Sequence, residues 1–379
     1  MKPTVGAGIS WSAAASQIDR APLQTGERSV GWWLLLCCAM IFVMVLLGGI
    51  TRLTQSGVSI TEWQLVIGIV PPLSAADWAV EFHKYRQIPQ YKLINAGMSL
   101  DAFKTIFLWE YVHRLWGRLI GFVYLLPFLY FLLRGRIRRG LAAPLAGIFA
   151  LGGMQGALGW YMVESGLVHR VEVSQYRLVA HLALALTIYA LTLWVALGSL
   201  WPPTNPMPAS WEPKMSHWRR AGEGLILLVG LTICAGGFTA GLHAGLIYNT
   251  FPLMDGDFVP RGYAQLQPFM RNWFENIAAV QFDHRVLAEA TFAVVVLLWL
   301  AGRRTVLPRR THLALHALLA AVLLQFGLGV STLLLVVPIP AAGAHQAGAV
   351  LLLTAAIVFR HALHRPQPRE LDRVAIAAI

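Results

Sequence analysis

The chain has 379 residues, 57% hydrophobic and 13% charged, with a formal net charge of +12. This lies far outside the composition of soluble globular domains and excludes a soluble enzyme. The predicted fold class is all-α integral membrane. Most of the 30 Lys and Arg fall on alternate connections between apolar runs, so the basic balance reads as membrane topology and attraction to anionic lipid, with no nucleic-acid signature.

Apolar runs close to the roughly 20 residues needed to cross a bilayer occur at 31–52, 113–134, 142–163, 177–199, 223–245, 280–302, 312–336 and 342–362. Backbone groups in lipid must pair internally, so eight helices are expected and not a barrel. The positive-inside rule puts both termini in the cytoplasm. A strong preference for Arg over Lys and a short leader without a cleavable signal point to a bacterial inner membrane. Cys37, Cys38 and Cys234 fall within spans and read as packing residues.

The first span, after a cytoplasmic tail over 1–30, ends in GGITRLTQSG (48–57). The long outer loop 53–108 follows. Ser74 and Asp77 there signal a helix start, and Ser99 a turn leading into Trp109. This loop reads either as an amphipathic helix on the lipid surface, with Trp63, Trp78 and Tyr85 as anchors, or as a partial cover over the first bundle. The second span opens on EYVHRLWGRL, which puts Glu110, His113, Arg114 and Arg118 where lipid would favour Leu. The third span carries QGALG (155–159), and the fourth carries His181. A Pro-rich cytoplasmic linker occupies 200–222.

From there the chain repeats itself. GGFTAGLHAG (236–245) matches the end of the first span, QFDHR (281–285) matches EYVHR (110–114), QFGLG (325–329) matches QGALG, and His345 matches His181. Four spans per copy is an even number, so the copies share one orientation. The expected architecture is two parallel-repeat four-helix bundles, 31–199 and 223–362, ending in a cytoplasmic tail over 363–379.

This topology places His113, His181, His284 and His345 in the first turns of even-numbered spans, at one depth near the outer side. Ionisable groups inside a membrane tend to be functional. Two neutral imidazoles from facing helices suit the axial positions of a haem iron, whereas zinc would want more protein ligands than each bundle offers. The residue one turn below each His is small: Gly117, Ala185, Ala288 and Ala349. His243 could line a site. His312 and His316 start a helix at the wrong depth, and His83, His169, His217, His361 and His364 read as loop or tail residues.

The copies differ where Glu110 is replaced by Gln281. Glu110 sits three residues before His113 on nearly the same helix face, where it could exchange protons or form an ion pair with Arg114. We expect the first bundle to carry chemistry and the second an electron-transfer haem, with Arg114 and Arg285 pairing with haem propionates.

These motifs together resemble the haem A synthase family: GGITRLTQSGVSITEW with GIVPPL, EYVHRLWGRLIG, MQGALGWYMVESGL followed by His181, NTFPLMDG (249–256), FDHR and AHQAGA. The resemblance covers residues 30 to 362. It implies that His113 and His181 hold the substrate, haem O, with Glu110 as the catalytic residue, and that His284 and His345 hold a haem b cofactor. The implied reaction oxidises a methyl substituent of haem O to a formyl group by successive hydroxylations, giving haem A for cytochrome oxidase. Haem O synthase and oxidase assembly factors are the protein partners it suggests, and a homo-oligomer is compatible with it. The cysteine pair that some members carry in the first outer loop has no counterpart here. Two other readings fit the four histidines: a diheme b-type electron carrier, which leaves Glu110 unexplained, and a haem transporter or chaperone, which would tolerate Gln at that position.

Overall fold

The computed structural model describes residues 25–63, 67–138, 140–168, 171–201 and 212–363. Among them, eight helices are long and apolar enough to cross a membrane. They are α1 (Thr25–Leu53), α2 (Leu100–Leu133), α3 (Ala142–Val168), α4 (Gln175–Leu200), α5 (Glu212–Gly241), α6 (Ile277–Arg303), α7 (Arg309–Leu334) and α8 (Ile339–Ala362). No strand forms among these residues beyond an isolated bridge between Met254 and Asp257. The chain is a multi-pass integral membrane protein. Most of the terminal tails, most of the Pro-rich linker, His169 and His364 lie outside the described residues.

Polar side chains start several of these helices. The Ser99 side chain accepts from Ala102 N to open α2, and Asn276 accepts from Ala278 N and Ala279 N to open α6, each filling a role that lipid cannot. Pro127 lies inside α2 and has no N–H for the carbonyl of Val123. Trp33 of α1 supplies the missing donor, its Nε1 lying 2.8 Å from Val123 O.

In sequence order, α1 to α4 pack into one ring and α5 to α8 into another; α1 and α4 face α8, and α4 also faces α5. Leu34, Cys37, Ala196, Leu197, Ala356 and Phe359 are buried in the core shared by these helices. Helices in lipid associate through close packing, which small residues permit. Each Gly-Gly pair does this twice. A Cβ on Gly48 would meet the ring of His113, and one on Gly49 would overlap the side chain of Gln346 on α8. On α5, a Cβ on Gly236 would meet His284, and one on Gly237 would crowd Val179 and Leu182 of α4. The first glycine thus touches a histidine of its own ring, and the second touches the other ring.

Two expectations are corrected. The second span starts at Leu100 and not near 113, because Ser99 caps the whole helix; the thirteen additional residues extend it by about 20 Å. His113 is therefore well inside its helix, whereas His181, His284 and His345 are six or seven residues from theirs. These first turns of α2 support a small aromatic core, so Trp78 and Tyr85 are not lipid anchors. Tyr85 is fully buried against Phe103, and Trp78 packs edge-on to Phe107. The Ser74–Asp77 capping box opens the helix Ala75–Tyr85 as expected. Tyr85 donates to Gln90 Oε1 at 2.8 Å, and burial raises its pKa against the opposing effect of the Asn95 amide.

Candidate functional site

Of the four singled-out histidines, His284 and His345 face one another. Their ring centroids are 6.4 Å apart at an interplanar angle of 80°. Two metal–nitrogen bonds of about 2 Å, plus the reach from each ring centre to its nitrogen, span about 6 Å. The separation therefore suits one iron between the rings, and a bis-imidazole haem fits this pair. Among the described residues, no cluster of three or more His, Cys, Asp or Glu could hold a metal ion, so paired imidazoles are the ligand set on offer. His113 and His181 lie within electrostatic range of one another in the first ring.

Each of the four rings rests on a glycine. A Cβ would come to 3.1 Å from His113 Cε1 on Gly48, 3.0 Å from His181 Cε1 on Gly159, 2.9 Å from His284 Cε1 on Gly236 and 2.9 Å from His345 Cε1 on Gly329. The sequence repeat pairs Gly48 with Gly236 and Gly159 with Gly329. The quoted motifs contained these glycines, yet sequence reasoning assigned them no task; their recurrence in matched motifs was the available signal. Gly117, one turn below His113, is instead backed by Met44.

The pairs differ in what holds the rings. In the second, His284 Nδ1 lies 3.1 Å from Thr232 O, and the Gln325 amide lies 3.2 Å from His345 Nδ1. His284 donates its Nδ1–H to Thr232, which leaves its Nε2 for a metal, and the Gln325 contact to His345 likewise falls on Nδ1 and not on Nε2. In the first, Nδ1 of His113 and Nδ1 of His181 are buried without a hydrogen-bond partner. Gln155 lies 3.2 Å from His181 Nε2 and donates to His181 O at 3.0 Å.

Glu110 is 2% exposed. Its Oε2 accepts from Ser59 Oγ at 2.7 Å and Ile60 N at 2.9 Å. Its Oε1 accepts from Arg114 Nε at 3.1 Å and Arg114 Nη2 at 2.6 Å. The ion pair with Arg114, the structural alternative to a proton-exchanging role, is present, and the bonds from Ser59 and Ile60 to Glu110 tie the segment after α1 to α2. Gln281 offers an amide instead, donating to Ile247 O at 2.7 Å and leaving Oε1 buried without a partner.

The two arginines do the same mechanical work. Arg114 donates to Ile60 O at 2.9 Å and Glu62 O at 3.0 Å, while Arg285 donates to Tyr248 O at 2.6 Å and Thr250 O at 2.8 Å. Each clamps the chain that leaves the Gly-Gly helix of its own ring. Arg285 Nε is buried without an acceptor.

The other histidines are placed elsewhere. His243 Nε2 lies 2.8 Å from Glu172 and 2.9 Å from Arg52, which also donates to Ala240 O at 2.8 Å. This cluster joins the two rings where α1 and α5 end. His316 accepts from Trp299 Nε1 at 3.1 Å. Three residues expected in loops or tails are helical: His83 in Ala75–Tyr85, His217 in α5, and His361 in the last turn of α8, buried edge-on to Trp194. Cys37 and Cys38 are buried thiols, and Cys234 is a partly buried one.

Residues 31–357 match the family COX15-CtaA, described as cytochrome oxidase assembly protein. The chain is 51% identical over 339 residues to the heme A synthase of Nitrosospira multiformis, covering 89% of this chain and 94% of that protein. It is 50% identical over 348 residues to that of Rhodospirillum centenum, covering 92% and 91%. It is also 44% identical over 350 residues to human heme A synthase COX15, covering 91% and 85%.

Proposed function

The chain belongs to the COX15-CtaA family of cytochrome oxidase assembly proteins, and we propose that it acts as a haem A synthase, an oxidoreductase that converts a methyl substituent of haem O to a formyl group by successive hydroxylations. The observation that carries the reading beyond family membership is the facing imidazole pair of α6 and α8, 6.4 Å between ring centres, with matched histidines on α2 and α4. We assign haem O, the substrate, to His113 and His181, and a haem b cofactor to His284 and His345. When bound, haem b supplies one-electron chemistry at its iron.

In this reading the chain is two parallel repeats, 31–199 and 223–362, and both sites lie near the periplasmic side of a bacterial inner membrane with cytoplasmic termini. His113 and His181 bind and orient the substrate. Glu110, three residues before His113 on α2, offers a carboxylate held in place by Ser59, Ile60 and Arg114. A carboxylate so fixed can accept a proton or stabilise positive charge that develops on the substrate, without reorganising. Arg285, with a buried Nε awaiting an acceptor, is the better placed of the two arginines to meet a propionate; Arg114 spends its Nε on Glu110.

The test is purification from cells that supply haem O, with haem types quantified. Wild type is expected to yield haem A. His113→Ala should lose haem O binding and keep haem b, and His284→Ala should lose haem b. Active membranes with haem b alone and no haem A would favour the electron carrier, and full function in Glu110→Gln would favour the haem transporter.

A further inference from the structure

We propose that Gln155 is a positioning residue that competes with iron for the Nε2 lone pair of His181, so that the first site releases its haem faster than the second. This rests on the reading of His113 and His181 as the substrate-haem pair.

Gln155 and Gln325 occupy matched positions in QGALG and QFGLG, four residues before the glycines that carry the His181 and His345 rings. Their amides nevertheless meet different nitrogens. The nitrogen of the Gln155 amide lies 3.0 Å from His181 O and 3.2 Å from His181 Nε2. Turning this amide over would set its oxygen against a carbonyl oxygen, so its N–H face is fixed toward the ring. An N–H donor can bind the ring nitrogen only through its lone pair, and a metal would use that same pair. Gln325 lies 3.2 Å from Nδ1 of His345 instead. The contact is made by the amide nitrogen at the outer ring nitrogen, so it does not occupy Nε2; a metal on Nε2 would need the proton on Nδ1, and a turn of this amide about its last bond would present its oxygen to that proton.

Packing accounts for the difference. The Gln325 amide lies over Gly348 of α8, where a Cβ would overlap its Oε1. The matched position on α4 is Leu184, which offers no bare backbone for an amide to lie on, and the Gln155 amide meets Nε2 of its ring instead. An enzyme whose first haem is substrate and then product must let it go, while a cofactor must stay.

The experiment uses the purified full-length chain, oxidised and without reductant, loaded with haem O and haem b. Excess apomyoglobin accepts released haem, and the haem types transferred are followed over time together with the absorption spectrum. In wild type, haem O should leave at least about tenfold faster than haem b; equal or slower release would overturn the proposal. Gln155→Leu removes the competing donor, and Leu184→Gly opens the place that Gln325 uses in its own ring. Each should slow haem O release about fivefold, the worth of one neutral hydrogen bond, with haem b release unchanged. The haem b spectrum reports folding of each variant, and an unchanged or faster haem O release in a folded variant would overturn the proposal. His181→Ala separates the two ideas: haem O binding that survives it removes the site assignment itself, whatever Gln155 does.

Discussion

The two rings of helices use the same parts and set them differently. In the second, Thr232 O and Gln325 engage the outer nitrogens of His284 and His345, a preorganised pair suited to a permanent tenant. In the first, both Nδ1 atoms lack partners, and the order lies around Glu110, which takes hydrogen bonds from Ser59, Ile60 and Arg114. One ring has imidazoles contacted at their outer nitrogens and Gln281 in place of the carboxylate; the other has the buried, fully hydrogen-bonded Glu110.

The sharpest break of that comparison is Glu110→Gln. Haem A formation should fall by about 10²–10⁴-fold, the range for a lost acid–base group, with the haem b spectrum retained. Parallel loss of both would end the division of labour. The arginines come next. Removing Arg114 strips a buried carboxylate of its ion partner and should cost about 3–5 kcal/mol. Arg285→Ala breaks two bonds to carbonyls and weaker attractions to Glu289 and Asp255, with no hydrogen-bonded ion pair, and should cost about 1.5–3 kcal/mol. Thermal unfolding of the two variants ranks them, and the reverse order would remove the special place given to Glu110.

Crowding the rings is a smaller test. Gly236→Ala puts a methyl 2.9 Å from His284 Cε1, and overpacking of this kind costs about 1–3 kcal/mol. Because the second pair is held at both ends, this variant should lower haem b occupancy more than Gly48→Ala, at 3.1 Å from His113, lowers haem O binding. The smallest effect lies where the rings meet. Hydrogen bonds from Arg271 and then Tyr176 lower the pKa of Glu275. Its contribution to stability is present above the unfolded carboxylate pKa and is lost as pH falls through the lower folded value. Glu275→Gln should therefore lower stability slightly at neutral pH and flatten the acid limb of an unfolding curve, with variant and wild type converging at low pH, where the carboxyl is protonated.

The spans and motifs were legible because each is local. A run of apolar residues, Ser99 before a helix and a Ser74–Asp77 box act through neighbours in sequence. The outer segment was harder to read, since Trp78 and Tyr85 have an amphipathic spacing whether their rings face lipid or each other; only the extra turns of α2, bringing Phe103 and Phe107 beneath them, decide. The arginines illustrate the same limit. Their charge calls for an acceptor, and the structure supplies backbone carbonyls from segments some 35 to 54 residues away.

From the sequence alone came the eight spans, the four histidines and the single carboxylate that sets one copy apart, all consequences of hydrophobic length and of which residues recur. The tertiary structure decided which nitrogen of each ring is engaged, that four glycines seat the rings, and that Glu110 is clamped on both oxygens. Hydrogen bonds form or fail over fractions of an ångström between helices far apart in the chain, and such distances depend on packing that no local pattern specifies.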